Sequence, residues 1–171
     1  MRTSTLAGIA LAVILSGCDE QLSEKDVTDL PAGDALGDAF AGDYTMELTT
    51  LSCEGVCAPV KISELMVLHV CDVGARQSGT ARVSQTDGRL QLDIDGALQA
   101  SRLIGGVDKD GSFDVGGVAT AASQARTFRS RVAGSLDATG GTGVMHTSSL
   151  GRRSDLRELQ CEARHELSLW R

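Results

Sequence analysis

Aromatic residues and proline are both scarce in this chain. Of 171 residues, three are Phe, one is Tyr, one is Trp and two are Pro. A core must therefore be built from Leu, Val, Ile, Met and Ala. Basic charge is also short: 16 Lys and Arg against 23 Asp and Glu leave a net charge of −7, which argues against nucleic acid as a partner. No Gly-x-Ser-x-Gly elbow is present for a nucleophilic serine. Gly140-Gly141-Thr142-Gly143 lacks the Gly-Lys-Ser/Thr ending of a phosphate-binding loop, so it reads as a turn. The apolar run from Leu6 to Leu15 is about half the length needed to cross a hydrocarbon layer as a helix.

What is abundant is glycine, at 20 residues. Glycine-rich, proline-poor and aliphatic composition suits short strands joined by tight turns and suits a helical bundle poorly. The order of residues agrees. Met46 and Leu48 alternate with polar neighbours, as do Leu90, Leu92 and Ile94, the period of half-buried strands. Further strands are expected at Leu65–Val70, Ala81–Ser84, Leu98–Val107 (with a parity break near Leu103-Ile104), Ser112–Val115, Thr127–Leu136 and Val144–Thr147. Asp87-Gly88, Asp95-Gly96 and Asp108–Gly111 mark turns. Cys53–Pro59 reads as a loop. The last segment, Ser154–Arg171, fits either a helical face or a final strand. Eight or nine strands in sequential hairpins predict an all-β fold, an antiparallel up-and-down β-barrel, because curling closed removes the exposed edges.

The amino terminus has its own layout. One basic residue, Arg2, precedes the apolar run, and small residues follow it, as in a secretory signal. The run ends in Leu15-Ser16-Gly17-Cys18, which resembles the lipobox of bacterial lipoproteins. That resemblance implies a signal peptide over 1–17, lipid on Cys18 with palmitate-type acylation of the new amino terminus, and a membrane anchor in the cell envelope, facing the periplasm or the cell surface. Residues 18–41 then read as the lipidated cysteine and an acidic, flexible tether, and 42–171 as one barrel domain. Between Asp19 and Asp43 eight acids stand against Lys25, so the acidity belongs to this segment and the body is close to neutral. Gly42-Asp43-Tyr44 is similar to the Gly-x-Trp entry of lipocalin-like barrels, with tyrosine in place of tryptophan.

Four cysteines remain: Cys53, Cys57, Cys71 and Cys161. An even number in an exported chain reads as two disulfides. A four-cysteine zinc site needs two close pairs, and only Cys53 and Cys57 are close. If the first and last strands pair with Tyr44 opposite Trp170, antiparallel counting sets Cys53 opposite Cys161 and leaves Cys57 for Cys71. Cys53–Cys57 with Cys71–Cys161 is the alternative. Asp108-Lys109-Asp110-Gly111 has the spacing of half a calcium loop, but the twelfth position is Ala119 rather than glutamate. His69, His146 and His165 each fall in an expected strand; the sequence does not fix their parity, and isolated strand histidines are common, so no metal site is assigned to them. Arg152, Arg153, Arg157 and Arg164 form a basic cluster suited to solvent, an acidic partner or lipid headgroups.

The sequence thus points to a non-catalytic, lipid-anchored envelope protein with no cofactor or metal. Its barrel is expected to bind a small apolar ligand or an envelope protein. The alternative is a structural or assembly lipoprotein with a filled barrel, and a hydrolase would need a constellation the sequence does not display. Intact-mass analysis of membrane-extracted protein should show Cys18 as the acylated amino-terminal residue, and Cys18→Ala should release the body or stall its processing; an unmodified cysteine refutes the anchor.

Overall fold

Leu90, Leu92 and Ile94 are the inward face of a strand, and the alternation that marks them recurs around a closed wall. The structure is a computed structural model that describes residues 21–57, 60–61, 67–68, 71–95, 101–121, 126–152 and 158–171. Its strands are β1 (Gly42–Gly55), β2 (Val60–Lys61), β3 (Val67–Leu68), β4 (Arg76–Thr86), β5 (Arg89–Asp95), β6 (Arg102–Val107), β7 (Ser112–Ala121), β8 (Arg126–Leu136), β9 (Gly140–Arg152) and β10 (Glu158–Trp170). A short helix, α1 (Lys25–Thr28), precedes them. Eight strands close a barrel in the order β1-β10-β9-β8-β7-β6-β5-β4, each antiparallel to its neighbours. The expected up-and-down barrel is therefore the fold, and the final segment takes its strand alternative. Val67–Leu68 departs from expectation. It pairs with Val60–Lys61 in a separate ribbon outside the barrel sheet.

The two ends of the barrel differ. At one, which we call the turn end, the connections are tight. Asp87 (φ 45°) and Gly88 (φ 77°) make a two-residue hairpin turn of the kind that needs positive φ at both positions. Asp108–Gly111 is also a hairpin turn: the Gly111 amide donates to the Asp108 carbonyl at 2.8 Å. Asp110 accepts from the Ser112 amide at 2.9 Å and hydroxyl at 2.6 Å. At the other, the loop end, lie the long connections and all four cysteines of the body.

Inward side chains pack the turn-end half of the barrel with Tyr44, Met46, Leu48, Val83, Leu92, Val107, Phe113 and Leu167 among others, all buried. Tyr44 is held from three sides. Its hydroxyl donates to the Phe40 carbonyl (2.8 Å), Arg171 donates to it (2.9 Å), and the Arg171 guanidinium lies 5.0 Å from the ring centroid. Outward rows are charged. Asp43, Arg82, Asp93 and Arg102 stand opposite one another across four strands, with Arg82–Asp43 and Arg102–Asp93 contacts of 2.7 Å. A membrane-embedded barrel has the reverse pattern, apolar outside and polar within.

β6 runs with regular parity, contrary to the expected break. Leu103, Gly105 and Val107 face in, and Gly106 is buried from outside by residues 31–33. That contact corrects a larger expectation. Residues 21–41 are not a free tether: Leu22, Val27, Leu30 and Ala35 are buried, and the segment is strapped along the barrel wall. It sits where wall glycines leave room. A Cβ on Gly116 would come within 2.5 Å of the Val27 carbonyl oxygen, and one on Gly106 within 2.5 Å of the Pro31 oxygen. Hydrogen bonds fix it, from Gly33 N to Gly88 O (2.9 Å), Ala35 N to Val107 O (3.1 Å), and from Arg89 and Arg129 to the Leu30 and Leu22 carbonyls. Its apolar residues are too few to show a period, yet Leu22, Val27, Leu30 and Ala35 each find a slot, while Leu36 stays exposed. Residues 1–20, with the lipobox, lie outside the described residues.

Closure also decides the disulfides. Thr45 faces Trp170 and Thr50 faces His165, one residue from the assumed register; at Leu51 the strand shifts by one more, so Cys53 faces Ala163 and Gly55 faces Cys161. Cys161 is thus two residues beyond the reach expected of Cys53. The bonds formed are Cys53–Cys71 and Cys57–Cys161, which corrects both pairings read from the sequence. Gly116→Ala should lift α1, speed proteolysis within 21–34 and cost about 1–3 kcal/mol in urea unfolding; an unchanged digestion pattern would show that the strap does not depend on this close contact.

Candidate functional site: the polar layer inside the barrel

Toward the loop end the inward residues change character. β1 contributes Thr50, β8 Ser130, β9 Thr147 and Ser149, and β10 His165, all buried. They line a polar layer above the aliphatic core. At the loop end Phe128 and Cys161, which flank Ser149 in register, form a small apolar cluster with Cys57 and Cys71 packed against them, so the polar residues run from the aliphatic core into this second cluster. Arg126, buried at the first position of β8, lies against Gly151, and burial pushes its guanidinium pKa down.

Part of this layer is internally bonded. Thr50 Oγ1 and His165 Nδ1 are 3.1 Å apart, and Ser130 Oγ lies 3.2 Å from Thr147 Oγ1, its partner across β8 and β9. The His165 contact occupies one ring nitrogen whichever tautomer is present. Among the described residues Nε2 has no partner, nor do Ser149 Oγ and Gln77 Oε1. Gln77 stands opposite Leu48 and so shares the inward parity. A buried polar atom left unpaired costs about 1–3 kcal/mol, so three such inward atoms ask for a guest that hydrogen-bonds.

His165 is the titratable member. Burial, and secondarily the charge of His146, push its pKa from 6.5 down to about 4, so the ring is neutral at pH 7. His146 is on the opposite side of the wall: it stands across from Arg164, whereas His165 stands across from Met145. The two imidazoles therefore do not converge inside the barrel, and His69 lies outside the described residues. Of the arginines singled out from the sequence, Arg152 ends β9 at the loop end and Arg164 belongs to the outward row of β10. Arg153 and Arg157 lie outside the described residues.

On the outer wall His146 Nε2 contacts Glu162 Oε2 at 3.0 Å, and Ser148 Oγ donates to Glu162 Oε1 at 2.7 Å. The three residue types are those of a serine-hydrolase triad, but the order is different. The carboxylate sits between serine and histidine, so the imidazole is not placed to take the serine proton.

Compared with protein-family models and with curated proteins, the chain matches none. The polar layer was not identified as a site from the sequence. Its signal was present in Ser130 between Phe128 and Val132, a polar residue on an otherwise apolar face.

The depressed pKa of His165 gives a pH dependence. Above pH 6.5 the ring is neutral folded and unfolded alike. Between 6.5 and about 4 the unfolded chain takes the proton first, so stability falls as pH falls through that window. Urea unfolding at pH 7.5 and 4.5 should show the wild type losing about 2–3 kcal/mol more than His165→Gln; equal losses would mean that His165 is not buried neutral.

Proposed function

We propose that this is a lipid-anchored protein of the bacterial cell envelope that acts by binding, not by catalysis, and that the polar layer inside its barrel is the site. One observation carries the reading: His165 Nε2, Ser149 Oγ and Gln77 Oε1 are buried and inward, without a partner among the described residues. The guest that fits them is small and polar. The apolar ligand expected from the composition is less suited, because the aliphatic half of the interior is occupied by packed side chains. Anchoring rests on the resemblance of Leu15–Cys18 to a lipobox, and the charged outer wall agrees with a barrel standing in water beside a membrane rather than within it.

A second reading, an assembly lipoprotein that docks an envelope partner, is favoured by a groove of about 720 Å³ between α1 and the barrel wall, where Ile104 and Val118 are exposed.

Native mass spectrometry of full-length protein extracted from membranes tests the first reading. The wild type should carry a small non-covalent adduct besides its lipid. His165→Leu with Ser149→Ala should lose the adduct while remaining folded at neutral pH, because two buried atoms without partners (His165 Nε2 and Ser149 Oγ) are removed and one, Thr50 Oγ1, loses its contact. Absence of an adduct from the wild type, with a protein partner retained instead, would transfer the function to the outer groove. Turnover of an ester or peptide by the full chain, lost on His146→Ala, would refute the non-catalytic reading.

A further inference from the structure

The strap has a direction. Gly33 lies beside Gly88 and Gly106 near the turn end, Val27 lies over Gly116 in the middle of β7, and the Leu22 carbonyl accepts from Arg129 on β8. Followed backwards toward the amino terminus, the chain climbs the outer wall from the turn end toward the loop end. Cys18 is only four residues before Leu22, which is itself buried against the wall. Four residues reach at most about 14 Å. From the level of Arg129, the loop-end start of β8 at Arg126 is three residues away, roughly 10 Å along the strand, and its turn-end limit at Leu136 is seven away, roughly 23 Å. The reach covers the first distance and falls short of the second.

Charge does not separate the two ends: the turn end exposes Asp38, Asp87, Asp108, Asp110 and Asp137 with Lys109 and Arg171 among them, and the loop end exposes Glu54, Asp72 and Asp95 with Arg76 and Arg102. The direction is set by the course of the strap and the reach of the four residues before Leu22.

We infer that the barrel is held close against the bilayer with its loop end, carrying the two disulfides and the β2–β3 ribbon, toward the lipid headgroups and its turn end away from them. This rests on lipid anchoring at Cys18 and adds to it an orientation and a short stand-off, in place of a tether of more than twenty residues.

Trp170, the sole tryptophan, is at the turn end of β10 and partly exposed, which makes it a native reporter. Val73 and Val56 are exposed in the connection at the loop end. Full-length lipidated protein would be reconstituted into phosphatidylethanolamine–phosphatidylglycerol vesicles whose acyl chains are brominated near the headgroup. Fluorescence of Val73→Trp, in a Trp170→Phe background, should be quenched several-fold more than native Trp170. Val56→Trp in the same background provides a second reporter. Inserting a Gly-Ser linker of about twenty residues between Glu20 and Gln21 should erase the contrast, since its full reach of about 70 Å exceeds the height of the wall. Stronger quenching of Trp170, equal quenching at both ends, or a contrast that survives the linker would each overturn the orientation. A preparation with no acyl group by intact mass and no sedimentation with vesicles would instead refute the anchor, and the orientation with it.

Discussion

The pairing of β1 with β10 is the constraint on which the other features of this protein depend. A wall of eight strands left open would present two unpaired edges and an exposed aliphatic face. Closed, it buries Met46, Leu48, Leu92 and Leu167 together and leaves the charged rows outside. The same pairing places Gly55 opposite Cys161, so the chain emerging from β1 delivers Cys57 to the last strand. The Cys57–Cys161 bond, across a sequence separation of 104, then locks the closure it depends on. In the unfolded chain a loop of that size is worth about 4.7 kcal/mol of lost entropy.

Glycine has two separate duties in this wall. At Gly88 it permits a tight turn, and at Gly106 and Gly116 its missing side chain lets a second layer of backbone approach the sheet. The segment so accommodated is acidic and nearly aperiodic, the composition of a disordered linker. It orders because the surface it meets is already folded and grooved to receive it. Four apolar residues, Leu22, Val27, Leu30 and Ala35, are buried there. A solvated spacer thus becomes part of the body of the protein, with its amino-terminal end pointing along the barrel axis.

The polar layer is the least economical part of the interior. A small barrel filled with aliphatic residues throughout would be more stable than one that runs Thr50, Ser130, Thr147, Ser149 and His165 from the aliphatic core into a second apolar cluster. Burial there strengthens each hydrogen bond formed and raises the cost of each one missing. That combination marks a place where stability has been given up, and it is the basis for placing function inside the barrel rather than at His146 and Glu162 on its flank.

The sequence by itself determined the class of fold, the turns and the inward face of most strands, because alternation and turn chemistry act between residues a few positions apart. Leu90, Leu92 and Ile94, Asp87-Gly88 and the row through Phe128, Ser130 and Val132 were all legible in this way. The sequence also supplied the resemblance at Leu15–Cys18, which lies outside the described residues. Only the tertiary structure decided the cysteine partners, the fate of residues 21–41 and the site. Disulfide partners depend on a closing register in which one extra residue at Leu51 moves every later position, and no local signal announces that shift. The strap depends on a surface made by β6, β7 and β8, far along the chain. The polar layer exists only once five residues on four strands are turned inward within one closed wall, a juxtaposition that closure of the barrel produces and that no stretch of sequence contains.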